Sequence, residues 1–285
     1  MHAQMYHLPP CWENAISDWC GWLVAAGRSS QSIRTRRGHV RLTARLLGSA
    51  NPDEVTLDDL VGLSATQHWS NDHRRGWRTS LVLFYEWAAA HDRAAVNPAA
   101  GLPQVAESKP RPRPVPDWLW GEVLSKAEPR ELLMARLACE LGLRRAEIAQ
   151  VHTDDVFANG DGYALLVHGK GLRQRELPLS DSLAEEIQRG PGRWADHGRG
   201  CLFPGQHDGH LSAGHVGVLL SRLLGPGWSG HKLRHRFASR GYAGTKDLLA
   251  VQKSLGHASP ATTIRYTASA SAEMRRVTEA AASPY

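Results

Sequence analysis

Apolar positions near the start of the chain (Trp12, Ile16, Trp19, Leu23 and Val24) recur at helical spacing, which predicts an amphipathic helix with one buried stripe. Ser29 or Ser30 can cap a second helix, which carries Ile33, Val40, Leu46 and Leu47 and stops at Gly48. Thr56 followed three residues later by Asp59 has the spacing of a capping box, with Asp in place of the usual Glu. A further helix over 75–91 sets Trp77, Leu81, Phe84, Tyr85 and Ala88 on one side. This first part reads as all-helical.

The pattern then breaks. From Asn97 to Pro116, prolines 110, 112, 114 and 116 alternate with Lys109, Arg111 and Arg113. Repeated proline removes backbone donors and favours an extended, semi-rigid chain, so this segment reads as a linker. Beyond it Asp117 can cap a helix, and Pro129 suits the first turn of another that ends near Gly142. Next, Asn159–Gly162 is a turn signal, Tyr163–Val167 a short apolar run, Gly169–Gly171 a second turn and Arg173–Leu179 an alternating stretch. Together they predict a three-stranded antiparallel meander. Helical patterns resume at 180–189, 212–224, 231–242, 246–255 and 262–268, and a last amphipathic piece over 272–282 carries Met274 and Val277.

Length agrees with this division: 285 residues at about 150 per domain suggests roughly two domains. The expected boundaries are a helical domain over 1–105, a Pro/basic linker over 106–116 and a mixed α+β domain, mainly helical, over 117–285. No run of 18 apolar residues and no signal-peptide pattern occurs, and the four cysteines have no paired spacing, so a cytoplasmic protein with reduced thiols is expected. Net charge is +6, and 28 of the 34 basic residues are Arg. That skew fits a GC-rich genome as well as phosphate recognition by the guanidinium fork.

Four segments can carry chemistry. In Gly142-Leu143-Arg144-Arg145-Ala146-Glu147, Glu147 can aim Arg144 at an anion; in His231-Lys232-Leu233-Arg234-His235, His231 and Arg234 share a helical face. His231 and His235 lack the Glu and the third ligand of a helical zinc site, so no metal site is expected. Lys170 lies at a hairpin tip between two glycines, and Tyr266 follows Leu255-Gly256-His257 by nine residues. Taken singly, these also read as a solvated helix start, a basic surface helix, an exposed turn lysine and a packed tyrosine.

In this order, Arg144, Lys170, His231, Arg234, His257 and Tyr266 are similar to the signature of the tyrosine recombinases, the phage integrase family. The local contexts GLRRAE, HGKGLRQRELPL, HKLRHRFA and LGHASPATTIRYT resemble that family's boxes, over roughly 115–270. The first part more loosely resembles the family's SAM-like core-binding domain.

The resemblance implies cleavage and rejoining of double-stranded DNA without metal or other cofactor. Tyr266 would attack the scissile phosphate to give a 3′-phosphotyrosine, and Lys170 would protonate the leaving 5′-oxygen. Arg144 and Arg234 would neutralise the phosphorane, with His231 and His257 donating hydrogen bonds or exchanging protons. It also implies a homotetramer on paired core-type sites, with a directionality factor as a candidate partner, and a C-terminal segment (272–285) that docks on a neighbouring subunit. For DNA contact the basic residues Arg34, Arg36, Arg37, Arg41 and Arg45 stand out, since the chain between Trp19 and Pro52 holds no Asp or Glu. Arg74, Arg75 and Arg78, and the linker residues Lys109, Arg111 and Arg113, are further candidates. The expected role is a phage or mobile-element integrase without a separate arm-binding domain. The alternatives are an Xer-type dimer resolvase, a type IB topoisomerase-like enzyme, or a DNA-binding protein with a decayed site.

Overall fold

A computed structural model describes residues 8–49, 51–107, 113–160, 162–169, 174–193 and 200–256. The chain divides into two compact units, Met1–Pro110 and Arg111–Tyr285.

In the first unit the helices are α1 (Pro10–Ala25), α2 (Ser30–Leu47), α3 (Leu57–Thr66) and α4 (Asn71–Ala90). Their ends follow from local chemistry. The Ser29 hydroxyl accepts the Ser32 N–H at the start of α2, and Gly48, at φ 69°, ends it in the left-handed region. Thr56 and Asp59 form the capping box of α3. α4 begins earlier than the hydrophobic pattern shows, because Ser70 caps it. Trp12, Trp19, Trp77, Phe84 and Tyr85 fill the core, with Phe84 stacked on Trp12 (5.9 Å) and edge-on to Trp19 (5.3 Å). Burying each ring contributes about 1.5–3 kcal/mol. The Trp77 indole N–H donates to the buried Thr43 hydroxyl at 2.8 Å, so its polar edge is satisfied. Val24 and Leu46 lie on the exposed side of their helices, contrary to the stripes expected for them.

The second unit is built around α6 (Pro129–Glu140), whose Leu133, Met134, Ala135, Leu137 and Ala138 are all buried. α5 (Asp117–Lys126) and the short α7 (Arg145–Gln150) flank it in sequence. Strands β1 (Val156–Asn159), β2 (Gly162–His168) and β3 (Gln174–Leu179) form the expected antiparallel meander in the order β1-β2-β3. The apolar face of α8 (Asp181–Gln188) covers the sheet through Leu183, Ala184 and Ile187. A two-bridge hairpin at β4 (Pro204–His207) leads to α9 (Ala213–Leu224), α10 (Gly230–Thr245) and α11 (Leu248–Leu255). α10 lies along α6, and α11 packs on α10 through Val251, Leu255 and Ala238.

Two expectations change. Residues 97–105 are not linker: Asn97 caps a 3-10 turn over Pro98–Gly101, and Ala99 and Leu102 are buried in the first unit's core. Asp117 does not cap α5. Its carboxylate pairs with Arg236 (2.5 Å) and Arg240 (2.8 Å) of α10, which pulls it away from the helix end. The stretch leading to it is pinned as well, for Val115 is buried, donates its N–H to Lys232 O and accepts from Arg236.

Candidate active site and nucleic-acid interface

The site grows from the turn after α6. Gly142 adopts φ 66°, and an added Cβ would lie 2.5 Å from Phe237 Cδ1, so only glycine fits. The turn delivers Arg144 in an extended conformation at the start of α7. Its N–H has no helical partner there, and Glu147 Oε2 accepts it at 2.8 Å. Glu147 Oε1 accepts Arg144 Nη1, also at 2.8 Å. One carboxylate therefore holds both the backbone and the head of Arg144.

Glu147 has a second guanidinium. Arg175 of β3 donates Nη1 to Oε1 and Nη2 to Oε2, each at 2.9 Å, in a bidentate pair. Arg234 Nη1 stands 3.9 Å from Oε2. Burial pushes the Glu147 carboxyl up, but the Arg175 bonds, the Arg144 N–H and both charges outweigh it and hold the group below the usual carboxylate range. Three guanidinia around one carboxylate leave a local charge of +2, which suits an anionic substrate.

The same three arginines grip the end of α11. Arg175 Nε donates to Ser254 O (2.9 Å), Arg234 Nη2 to Leu255 O (2.6 Å) and Arg144 Nη2 to Gly256 O (3.3 Å). Helix ends leave carbonyls unpaired and carry partial negative charge, so cations are favoured there. Arg234 also donates Nη1 to Gly142 O. Its side chain is 2% exposed, whereas that of Arg144 is 43% exposed. Of the two arginines expected to bind phosphate, Arg144 presents its head to solvent and Arg234 is turned inward.

His231 and His235, one turn apart on α10, meet through their Nε2 atoms at 2.9 Å. One must donate and the other accept. Burial, the facing imidazole of His231 and the charges of Arg234 and Lys232 push His235 down to about 4, and burial with Arg234 and Arg144 lowers His231. Both shifts favour the neutral ring.

Arg144, His231 and Arg234 border a groove of about 1330 Å³, together with Arg145, Gly217, Ser221, Arg222 and Trp228. Arg145 and Arg222 form no ion pair among the described residues, and add unneutralised positive charge to its walls. Lys232 and Arg113 lie against the Trp228 ring at 5.1 and 4.7 Å. Among the described residues no group of three or more His, Cys, Asp or Glu could hold a metal ion. Lys170, His257 and Tyr266 lie outside the described residues, as do the helices expected at 262–268 and 272–282.

Sequence reasoning missed Arg175 as a site residue. Its signal was there: strand alternation puts it on the face of the buried Leu177 and Leu179, and a charge on an inward strand face needs a partner. Arg145, beside Arg144, was legible as basic but had no assigned place, and Arg222 and Trp228 carried no local signal.

The basic residues of the first unit divide. Arg34, Arg36 and Arg37 of α2 form no ion pair among the described residues, and Arg34 and Arg37 are exposed. Arg36 and Arg75 line a small groove between α2 and α4 with Gln31, Thr35 and Thr79. Arg41 instead pairs with Glu13 at 2.7 Å, and Arg75 more loosely with Glu107 at 3.6 Å. Arg74 donates to the carbonyls of Ser64 and Gln67, and Arg78 to that of Leu102, so these two tie α4 to its surroundings. Arg45 is exposed; Lys109 and Arg111 lie outside the described residues.

Residues 122–273 match the phage integrase family. The chain belongs to that family and is a tyrosine site-specific recombinase. It is 28% identical over 273 residues, 90% of each chain, to tyrosine recombinase XerC of Chromobacterium violaceum. To XerC of Xylella fastidiosa (strain M23) it is 30% identical over 275 residues, covering 88% of this chain and 91% of the relative. In fold it is similar to the XerH site-specific recombinase bound to palindromic difH substrate, with a TM-score of 0.69 and 20% identity over 93% of this chain and 83% of the other. Among the described residues, no helix is long and apolar enough to cross a membrane.

Proposed function

We propose that this recombinase acts in the Xer manner, cutting and rejoining duplex DNA at core-type sites to resolve joined replicons. The observation that carries the chemistry is Arg144: an exposed guanidinium, held by a buried carboxylate, beside His231 on the rim of a basic groove. A donor fixed in that way can stabilise charge developing on a phosphorane without reorganising at the moment of reaction.

The proposed nucleophile is Tyr266. Its attack on phosphorus forms the O–P bond to tyrosine and breaks the bond to the 5′-oxygen, which takes its proton from Lys170. The ester keeps the bond energy, so a 5′-hydroxyl can reverse the step. His231 and His257 would donate hydrogen bonds to the phosphate or move the tyrosyl proton. Two duplexes exchange four strand ends, which calls for four protomers. The first unit is proposed as the core-type DNA-binding domain, with Arg34, Arg36, Arg37 and Arg75 on the phosphates. The second is the proposed catalytic domain, and the setting is the cytoplasm.

The near full-length similarity to XerC recombinases supports the Xer reading over a mobile-element integrase. The test is covalent capture on host chromosome fragments and on DNA flanking the gene, quenched with SDS, with Tyr266→Phe alongside. A wild-type adduct absent from the variant supports the chemistry. An adduct at a chromosomal site remote from the gene supports the Xer role. One confined to the gene's own flank would move the role to an integrase, and an adduct formed by Tyr266→Phe would overturn the nucleophile.

A further inference from the structure

Arg144 is held from two sides, and Arg175 touches both holds. On one side stands Glu147, which receives Arg144 Nη1 and the Arg144 N–H. On the other stands Gly256, whose carbonyl accepts Arg144 Nη2. Arg175 fixes the first with a two-pronged grip on the same carboxylate, so that turning the carboxylate about its own axis breaks four hydrogen bonds at once. It fixes the second by donating Nε to Ser254 O. Its guanidinium also packs against Gly256, where an added Cβ would lie 3.2 Å from Nη1 and 3.3 Å from Cζ.

We propose that Arg175 is a positioning residue for the DNA-cleavage reaction: it sets the direction of the Arg144 guanidinium and anchors the end of α11 from which the chain continues to His257. This inference rests on the recombinase reading, and extends it to a residue outside the six-residue signature.

The placement explains why a strand supplies this residue. Arg175 pairs in register with Val167, and the β2–β3 ladder runs on to Leu179 opposite Tyr163. The ladder fixes the Arg175 backbone, and the side chain is only 15% exposed. A guanidinium is planar, with Nε and the two Nη atoms pointing three ways in one plane. Here the Nη edge meets a carboxylate and Nε meets a carbonyl. An ammonium at the same place is a single point with no fork. The group also sits on a rigid element, where small displacements are resisted.

The experiment compares full-length wild type, Arg175→Ala and Arg175→Lys in three measurements: single-turnover formation of the covalent adduct on a nicked DNA substrate, affinity for the same DNA, and amide hydrogen exchange without DNA. A misplaced donor costs on the order of 100-fold in rate. The expected result is therefore a loss of about 100-fold in adduct formation for Arg175→Ala, with DNA affinity within about threefold of wild type, a pattern that separates positioning from binding. Arg175→Lys should fail to restore the rate. In the DNA-free protein, exchange at the α11 end (253–256) should rise in both variants while α6 stays protected.

An Arg175→Ala rate within about threefold of wild type would overturn the proposal, as would a loss of rate matched by an equal loss of affinity. So would full rescue by Lys. Unchanged exchange at 253–256 would overturn the anchoring of α11 whether or not the protein cuts DNA. Failure of wild type to form any adduct would count against the recombinase reading itself, and the exchange result separates the two failures.

Discussion

Glu147 and Arg175 meet edge to edge, two oxygens against two nitrogens, each pair 2.9 Å apart, on a carboxylate whose side chain is 4% exposed. Removing Glu147 strands Arg175 in a largely buried setting, where an uncompensated charge costs far more than a surface one, whereas removing Arg175 leaves Glu147 paired with Arg144. Glu147→Ala should destabilise the second unit by about 3–5 kcal/mol, read from urea unfolding. Glu147→Gln keeps the shape and should lose less. Because the folded carboxyl is held below its ordinary range, its contribution is present above the unfolded pKa and is lost as pH falls through the folded value. Glu147→Gln should accordingly flatten the acid limb of the stability profile and leave the slope near neutrality alone.

His235 gives the opposite test. Its pKa is pushed down to about 4, so between about 4 and the ordinary histidine value of 6.5 the unfolded chain binds a proton that the folded chain refuses. Stability therefore falls as pH drops through that window. His235→Asn should reduce the fall in Tm between pH 7 and pH 5, as measured by calorimetry. An unchanged fall would place the sensitivity in other groups.

Gly142→Ala should cost about 1–2 kcal/mol from the left-handed backbone alone. The collision with Phe237 adds to that. Since the Gly142 carbonyl accepts from Arg234, the variant should lose DNA cleavage more than DNA affinity. Comparing adduct rate with gel-shift affinity checks this.

Arg34 and Arg74 should separate two meanings of a basic residue. Arg34→Ala removes an exposed charge and should lower the slope of log affinity against log salt by about 0.9 while leaving Tm unchanged. Arg74→Ala removes donors to Ser64 and Gln67, and should lower Tm with little effect on the salt slope. Titrations at several salt concentrations and thermal melts distinguish them.

Much of the architecture was legible because it is written locally. The Thr56–Asp59 box and the Ser29 cap with Gly48 each act within a few residues, so their readings hold in the structure, and the three strands pair in the expected order. Errors arose where a distant partner outbids a local one. Asp117 had every local reason to cap α5, but two arginines more than a hundred residues away take its carboxylate. For Arg74 and Arg78, candidate DNA contacts on composition, folding also brings backbone carbonyls within reach, a bond composition does not show. The link between Arg144 and Glu147 was readable at i, i+3. The inward turn of Arg234 was not, since its acceptors belong to Gly142 and Leu255.

The grip of three arginines on the carbonyls of 254–256 also imposes an order on synthesis. A nascent chain acquires Arg144, Glu147 and Arg175 early and the α11 carbonyls late, since translation proceeds from the N-terminus. Until those carbonyls emerge from the ribosome, Arg144 and Arg175 have Glu147 but not their second set of acceptors. This part of the site therefore closes only after the chain has passed Gly256, however early its arginines are made.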